Sequence, residues 1–313
     1  MTLTAGSAPD RMRILAGTGE LCVCAQAPVL MGILNIGDDS VADQLHLPLP
    51  AEQQQRAQQL IAEGAQVIDI GVQSGRTDTS PISATEEIER LSPLVSELSR
   101  QGVLISIDTY RASVAEAALR AGAHIINDVG GMSDPEIAEV AASFRAALVL
   151  MHTRAAPKTA AFPGYEDPVA EVASHLEAMM QAAIDAGVDE GQLILDPGLD
   201  YAKTPSESIL VLRGLSELHA LGRPLLLAVS RKYFIGMLTG RAPLQRLAGT
   251  LAAVSFGLDA GAQILRVHDV AAVRDLLTVR AALEGEHEPE MKGDPEAEAL
   301  KWLPPKQPSH SPH

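Results

Sequence analysis

Through most of the chain a short apolar run alternates with a longer segment whose apolar residues recur at helical spacing. The two periods, about 2 residues for a strand and about 3.6 for a helix, separate the elements. The apolar runs predict strands at Val29–Leu34, Val67–Ile70, Leu104–Ile107, Ile125–Ile126, Leu148–Met151, Leu193–Leu195, Leu225–Val229 and Ile264–Val267. The periodic segments predict helices at Ala51–Glu63, Ala84–Gln101, Ser113–Ala121, Pro135–Phe144, Pro168–Ala186, Ser206–Leu221, Leu244–Ala260 and Ala271–Leu283. Small-residue turns such as Glu63-Gly64-Ala65, Ala121-Gly122-Ala123 and Ala260-Gly261-Ala262 lie between helix and strand. Glycine suits the residue after a helix end, where a left-handed backbone is needed. Eight strands alternating with eight helices predict an α/β fold, a single-domain (β/α)8 TIM barrel over residues 29–283. A doubly wound open sheet is the alternative, and eight units of this length favour closure. Residues 1–28 form an N-terminal extension in which Glu20–Ala25 could make a hairpin strand. Residues 284–313 carry six prolines and no apolar periodicity, which fits a disordered acidic, Pro-rich tail with Ala297–Leu303 as a potential short helix.

The polar residues at the strand ends carry the chemistry. In Gln192–Thr204 the run Leu193-Ile194-Leu195 ends in Asp196, and Pro197-Gly198 stops the strand. A carboxylate there is costly to desolvate unless it is hydrogen-bonded. A ring with parallel N–H donors would satisfy it, and so would the cap of the following turn. Lys203 follows on the loop or at the next helix start. The other strands end in Asn35, Asp69, Asp108, Asn127 with Asp128, His152, Ser230 with Arg231 and Lys232, and Arg266 with His268. Each alone could cap a turn or sit satisfied in the core. Eight strands ending this way converge on one barrel mouth, where such enzymes place their chemistry. Asp108, Asn127 and Asp196 suit a flat, donor-rich heterocycle. Arg266, His268 and Arg76 suit an anion such as a diphosphate. Asn35 with Asp39 suits a hard cation.

Composition narrows the partners. The chain has 313 residues, 46% hydrophobic and 3% aromatic, enough for one large aliphatic core. A formal net charge of −16 argues against nucleic acid or an anionic membrane as partner, and an anionic substrate would need a local basic cluster. No apolar run reaches the roughly 18 residues of a membrane span, and residues 1–13 lack a signal-peptide core. A cytoplasmic protein is expected. Cys22 and Cys24 have neither zinc nor thioredoxin spacing, and buried thiols are expected.

In order, the segments MGILNIGDDS (31–40), IDIG (68–71), SIDTYRASVAEAAL (106–119), INDVGG (126–131), LMH (150–152), DPGLDYAKT (196–204), SRKYFIG (230–236) and RVHDV (266–270) resemble the dihydropteroate synthase family over about Val29–Leu283. The resemblance implies a transferase of folate biosynthesis. It would join 6-hydroxymethyl-7,8-dihydropterin diphosphate to p-aminobenzoate and release diphosphate. By motif, Asp108, Asn127, Asp196 and Lys232 would hold the pterin, and Arg76, Asn35, Arg266 and His268 the diphosphate, with Mg²⁺ at Asn35. Asp39, Lys232, Arg266 and His268 would be catalytic, and Ser74, Asp43, Arg231 and Tyr233 would lie on the acceptor side. A homodimer through the last barrel helices would follow from the same likeness.

The chain departs from the family in its first two loops. Asn35–Leu45 keeps Asp39, Ser40 and Asp43 of the family's N-V-T-P-D-S-F-S-D-G-G but has Val41 for the phenylalanine. Gly71–Thr77 keeps Ser74 and Arg76 of G-G-E-S-T-R-P but has Thr77 for the proline. Tyr233 replaces the serine after the lysine of the S-R-K motif. These changes predict an intact pterin floor and a rebuilt acceptor site. The expectation is weak use of p-aminobenzoate and weak sulfonamide inhibition. A paralogue with another acceptor and a non-catalytic pterin-binding protein are the alternatives.

Overall fold

The computed structural model describes residues 12–16, 19–24, 27–37, 47, 49–73 and 81–285. The chain opens with an antiparallel hairpin, β1 (Met12–Ala16) and β2 (Gly19–Val23). The hairpin strand expected at Glu20–Ala25 is β2, shifted by a residue or two, and β1 is its partner. Alternation along the hairpin buries Ile14, Ala16, Leu21 and Val23. Cys22 falls on the other face and is exposed, and Cys24 is half-buried, which corrects the expectation of buried thiols.

The barrel strands follow, each paired parallel to its neighbours: β3 (Val29–Asn35), β4 (Val67–Gly71), β5 (Leu104–Thr109), β6 (Ile125–Asp128), β7 (Ala147–Met151), β8 (Leu193–Asp196), β9 (Leu226–Leu227) and β10 (Ile264–Val267). Their order is β8-β7-β6-β5-β4-β3-β10-β9. A parallel bridge between Leu195 and Leu225 joins the two ends. The Leu195 N–H donates to the Pro224 carbonyl at 2.9 Å, so the sheet closes as a barrel.

The helices are α1 (Pro50–Glu63), α2 (Ala84–Arg100), α3 (Ala112–Arg120), α4 (Glu136–Phe144), α5 (Pro168–Asp185), α6 (Pro205–Arg213), α7 (Tyr233–Thr239), α8 (Leu247–Asp259) and α9 (Val270–Glu284). The expected helix at Ser206–Leu221 is divided at Gly214, with a 3₁₀ segment over Leu215–Leu221. The strand expected over Leu225–Val229 shrinks to two laddered residues. The short α7 was not expected, because its seven residues are too few to show a helical period. From Leu277 onward the chain forms a second compact unit, described only as far as residue 285. Among the described residues no helix is long and apolar enough to cross a membrane.

The hairpin closes the bottom of the barrel. Ile14, Ala16, Leu21 and Val23 form one apolar cluster with Val29, Val67, Leu104, Ile125, Ala147, Ile194, Leu226 and Ile264, which lie at the starts of the barrel strands. Apolar filling at this end leaves the polar ends of the strands to the opposite mouth, as the fold requires. The turn after β8 depends on one glycine. Gly198 has φ +65°, and a Cβ there would stand 1.9 Å from the His152 carbonyl oxygen.

Gly198→Ala is accordingly expected to lose at least about 3 kcal/mol, since left-handed backbone alone costs an L-residue about 1–2 kcal/mol. Gly222 has φ +70° with nothing within 4 Å of such a Cβ, so Gly222→Ala should lose only the conformational part. Urea unfolding of the two variants checks this. Equal losses would mean that the contact with the His152 carbonyl does not matter.

Candidate active site

Strand register builds the mouth. Asn35 pairs with Gly71, Gly71 with Asp108, and Asp108 with Asn127, so these positions form a row across β3, β4, β5 and β6. At position 71 a Cβ would lie 3.2 Å from Asn35 Oδ1 and 3.5 Å from Asp108 Cβ. The glycine thus keeps the space between an amide oxygen and a carboxylate clear. On the same inward face of β4, two residues deeper, is Asp69, paired in register with Ile33 and Ser106 and 0% exposed.

Arg266 on β10 reaches into this row. Its Nε donates to Asp69 Oδ2 at 2.6 Å and its Nη2 to Asp108 Oδ2 at 2.5 Å. Asn127 Nδ2 donates to the same Asp69 oxygen at 3.4 Å. Burial opposes the Arg266 charge, but Asp69 and then Asp108 hold its pKa above the ordinary arginine range. Burial pushes Asp108 up to about 7, while Arg266 pulls it down and Asp69 adds repulsion.

Asp196 is both a turn cap and a member of the mouth. Its Oδ1 accepts the Gly198 N–H at 2.7 Å. Burial raises its pKa, opposed by that N–H and then by Lys232. The loop after it is held from beneath by Lys203, which lies just before the Thr204 cap of α6. Lys203 Nζ lies 2.6 Å from His152 Nδ1 and donates to the carbonyls of Gly198 at 2.9 Å and Tyr201 at 3.2 Å. Burial takes Lys203 down to about 7. Burial, with Lys203 next, takes His152 down to about 2, so the ring is neutral and can accept from the amine. His152 and Lys203 therefore support the loop rather than line the mouth.

The same loop places Lys232. Asp200, at φ +63°, accepts the Phe234 N–H with Oδ2 at 3.2 Å and so caps α7. Lys232 is the residue before that helix, and its Nζ lies 4.4 Å above the centre of the Tyr201 ring. Burial lowers the Lys232 pKa, with Asp200 and Asp196 opposing. Arg231, at φ +57°, gives its guanidinium to Asp269 in a two-point pair at 3.1 and 2.6 Å. It locks the Ser230–Lys232 turn to the end of β10, a role that its expected place on the acceptor side did not include. His268 Nδ1 lies 2.9 Å from Ser230 Oγ, and burial, then Arg231, keep its pKa well below the ordinary histidine value.

Tyr233 is 57% exposed. It opens α7, directly after Lys232. Asp39, Asp43, Ser74 and Arg76, with Val41 and Thr77, lie outside the described residues. The structure thus brings together Asn35, Asp108, Asn127, Asp196, Lys232 and Arg266. It adds Asp69, Tyr201, Asp200 and Asp269, to which no role had been assigned. Asp269 lies within RVHDV and could have been found there, whereas the link from Asp69 to Arg266 joins residues 197 positions apart. Among the described residues no group of three His, Cys, Asp or Glu could hold a metal ion.

The chain has counterparts among known proteins. Residues 31–268 match the family model described as pterin binding enzyme. The dihydropteroate synthase of Bacillus subtilis (strain 168) is 41% identical over 244 residues, 77% of this chain and 84% of that protein. That of Mycobacterium leprae (strain TN) is 42% identical over 266 residues, 82% of this chain and 94% of that protein. The solved Xanthomonas albilineans dihydropteroate synthase with 4-aminobenzoic acid superposes with a TM-score of 0.80 at 36% identity, over 89% of this chain and 99% of the other. The match runs through the whole closed barrel, and the chain belongs to the dihydropteroate synthases, transferases of the pterin-binding enzyme family.

Proposed function

We propose that the chain joins 6-hydroxymethyl-7,8-dihydropterin diphosphate to p-aminobenzoate, with the mouth residues in the following roles. The observation that carries the reading is that Asp108, Asn127 and Asp196 share one mouth with two cations, Arg266 and Lys232. The three acceptors meet the N–H groups of the pterin ring, and Lys232 donates to its acceptor edge. Arg266, already fixed by two carboxylates, flanks the ring and reaches the diphosphate together with Asn35, His268 and Arg76. In the reaction the bond from the exocyclic methylene carbon to the diphosphate oxygen breaks, and the electron pair leaves with diphosphate. The arylamine nitrogen forms the new C–N bond and then loses a proton. The carboxylates favour positive charge on the pterin as the leaving group departs, and the cations favour the charge on diphosphate.

The residues present fit Mg²⁺ bound mostly by substrate. Asn35 offers one hard oxygen beside the gap at Gly71, and Mg²⁺ takes few protein ligands when substrate phosphates are present. Asp39 is the second candidate ligand. When bound, the ion would neutralise charge on the leaving diphosphate. The acceptor side is assigned to Ser74, Asp43 and Tyr233.

Purified protein with the pterin diphosphate and p-aminobenzoate is expected to release diphosphate and form dihydropteroate. Release that does not depend on p-aminobenzoate would overturn the acceptor assignment. For Asp196→Asn, a charged hydrogen bond of about 1.5–3 kcal/mol is lost, so pterin affinity should fall at least about tenfold. Unchanged calorimetric binding would remove Asp196 from the pterin site. Binding uses the ionised form of Asp108, whose pKa in the free protein is raised to about 7. The proton must leave on binding, so affinity should weaken as pH falls through about 7, by up to about tenfold per unit. A flat affinity between pH ~6 and ~8 would contradict that linkage.

A further inference from the structure

We infer that Asp69 is a positioning residue that sets the hydrogen-bond polarity of the pterin floor, an inference that rests on the proposed pterin-binding reading. Asp69 is wholly buried within the barrel, two residues below the row that faces the ligand. Paired with a guanidinium, its carboxylate accepts and cannot donate. A side chain that hydrogen-bonds to it must therefore bring a donor. Arg266 brings Nε at 2.6 Å and Asn127 brings Nδ2 at 3.4 Å, both to Oδ2.

The consequence falls on Asn127. The two ends of an amide have nearly the same shape, and the neighbours decide which end points where. Asp69 takes the nitrogen end, so Oδ1 is turned away from it. That oxygen is buried and has no partner among the described residues. A buried acceptor without a partner is a demand for a donor, and a ligand N–H supplies it. Asp69 thereby makes the floor present acceptors only: Asn127 Oδ1, Asp108 and Asp196. The same Asp69 oxygen holds Arg266 by Nε and leaves Nη2 for Asp108, so one buried carboxylate orients side chains from β6 and β10.

Asp69→Asn keeps an oxygen at the Oδ2 position, where it still accepts from Arg266 Nε and Asn127 Nδ2, whereas Asp69→Ala removes the acceptor that the two share. Calorimetry with 6-hydroxymethylpterin should show affinity reduced at least about tenfold in Asp69→Ala, the effect of one mismatched polar contact. Asp69→Asn should stay within about threefold of wild type. In the Asn127→Ala background, where no amide is left to orient, Asp69→Ala should cost at least about threefold less than it does in the wild-type protein, a coupling that a merely structural role for Asp69 would not produce. Asp69→Ala binding within about twofold of wild type, an Asp69→Asn variant as weak as Asp69→Ala, or an equal cost in the two backgrounds would overturn the inference. Should Asp69→Ala not fold, as judged by its thermal melt, Asp69→Ser takes its place under the same criteria. A wild-type protein that does not bind the pterin would fail the underlying reading, and the same titration shows it.

Discussion

The mouth depends on a guanidinium held between a buried carboxylate and a half-buried one. Arg266 enters from β10, meets Asp69 on β4 and Asp108 on β5, and sits above an apolar floor. An isolated ion there would cost several kcal/mol in lost hydration. Two short charge-assisted bonds offset that cost and fix the plane of the group. Removing one partner would leave an uncompensated charge, so the three residues act as a unit. The unit also ties three walls of the barrel together at the level where the ligand-facing row begins.

A second support rests on uncharged partners rather than on an ion pair. Lys203 is buried among carbonyl oxygens and an imidazole nitrogen, with no carboxylate in its hydrogen bonds. The loop it holds carries Asp196 at one end and the Thr204 cap of α6 at the other. Through Asp200 the loop also caps α7, and through Tyr201 it lies under Lys232. One buried amine thus sets the relation between the end of β8 and the S-R-K turn. The left-handed backbone of Asp200, Ala202 and Arg231 falls in this same stretch. Such conformations persist only where surrounding contacts over-determine them, and here those contacts are the hydrogen bonds of Lys203 and the pair of Arg231 with Asp269.

An acidic chain that takes an anionic substrate needs a local excess of cations. Arg266, Lys232 and Arg231 gather at the ends of β9 and β10, yet Arg266 and Arg231 are paired with carboxylates. The mouth therefore holds these two cations beside carboxylates, which suits a substrate that separates into a cationic ring and an anionic leaving group. His268, kept neutral by burial and its cationic neighbours, serves as a hydrogen-bonding group rather than as another fixed charge.

The alternation of periods determined the barrel, because strands buried on both faces must be apolar runs and the helices covering them must be amphipathic. The polar residue at each strand end was legible for the same reason: a polar group interrupts an apolar run, and the interruption shows in one dimension. Asp108, Asn127 and Asp196 could be singled out in this way. The first strand of the hairpin and α7 were not legible, since five to seven residues carry too little period to be told from a loop. The roles of Asp69, Lys203 and Asp269 were decided only by the tertiary structure. Asp69 meets an arginine 197 positions away, Lys203 a histidine 51 away, and Asp269 an arginine 38 away. What a buried charge does depends on which partner closes its hydrogen bonds, and the closure of the barrel chooses that partner.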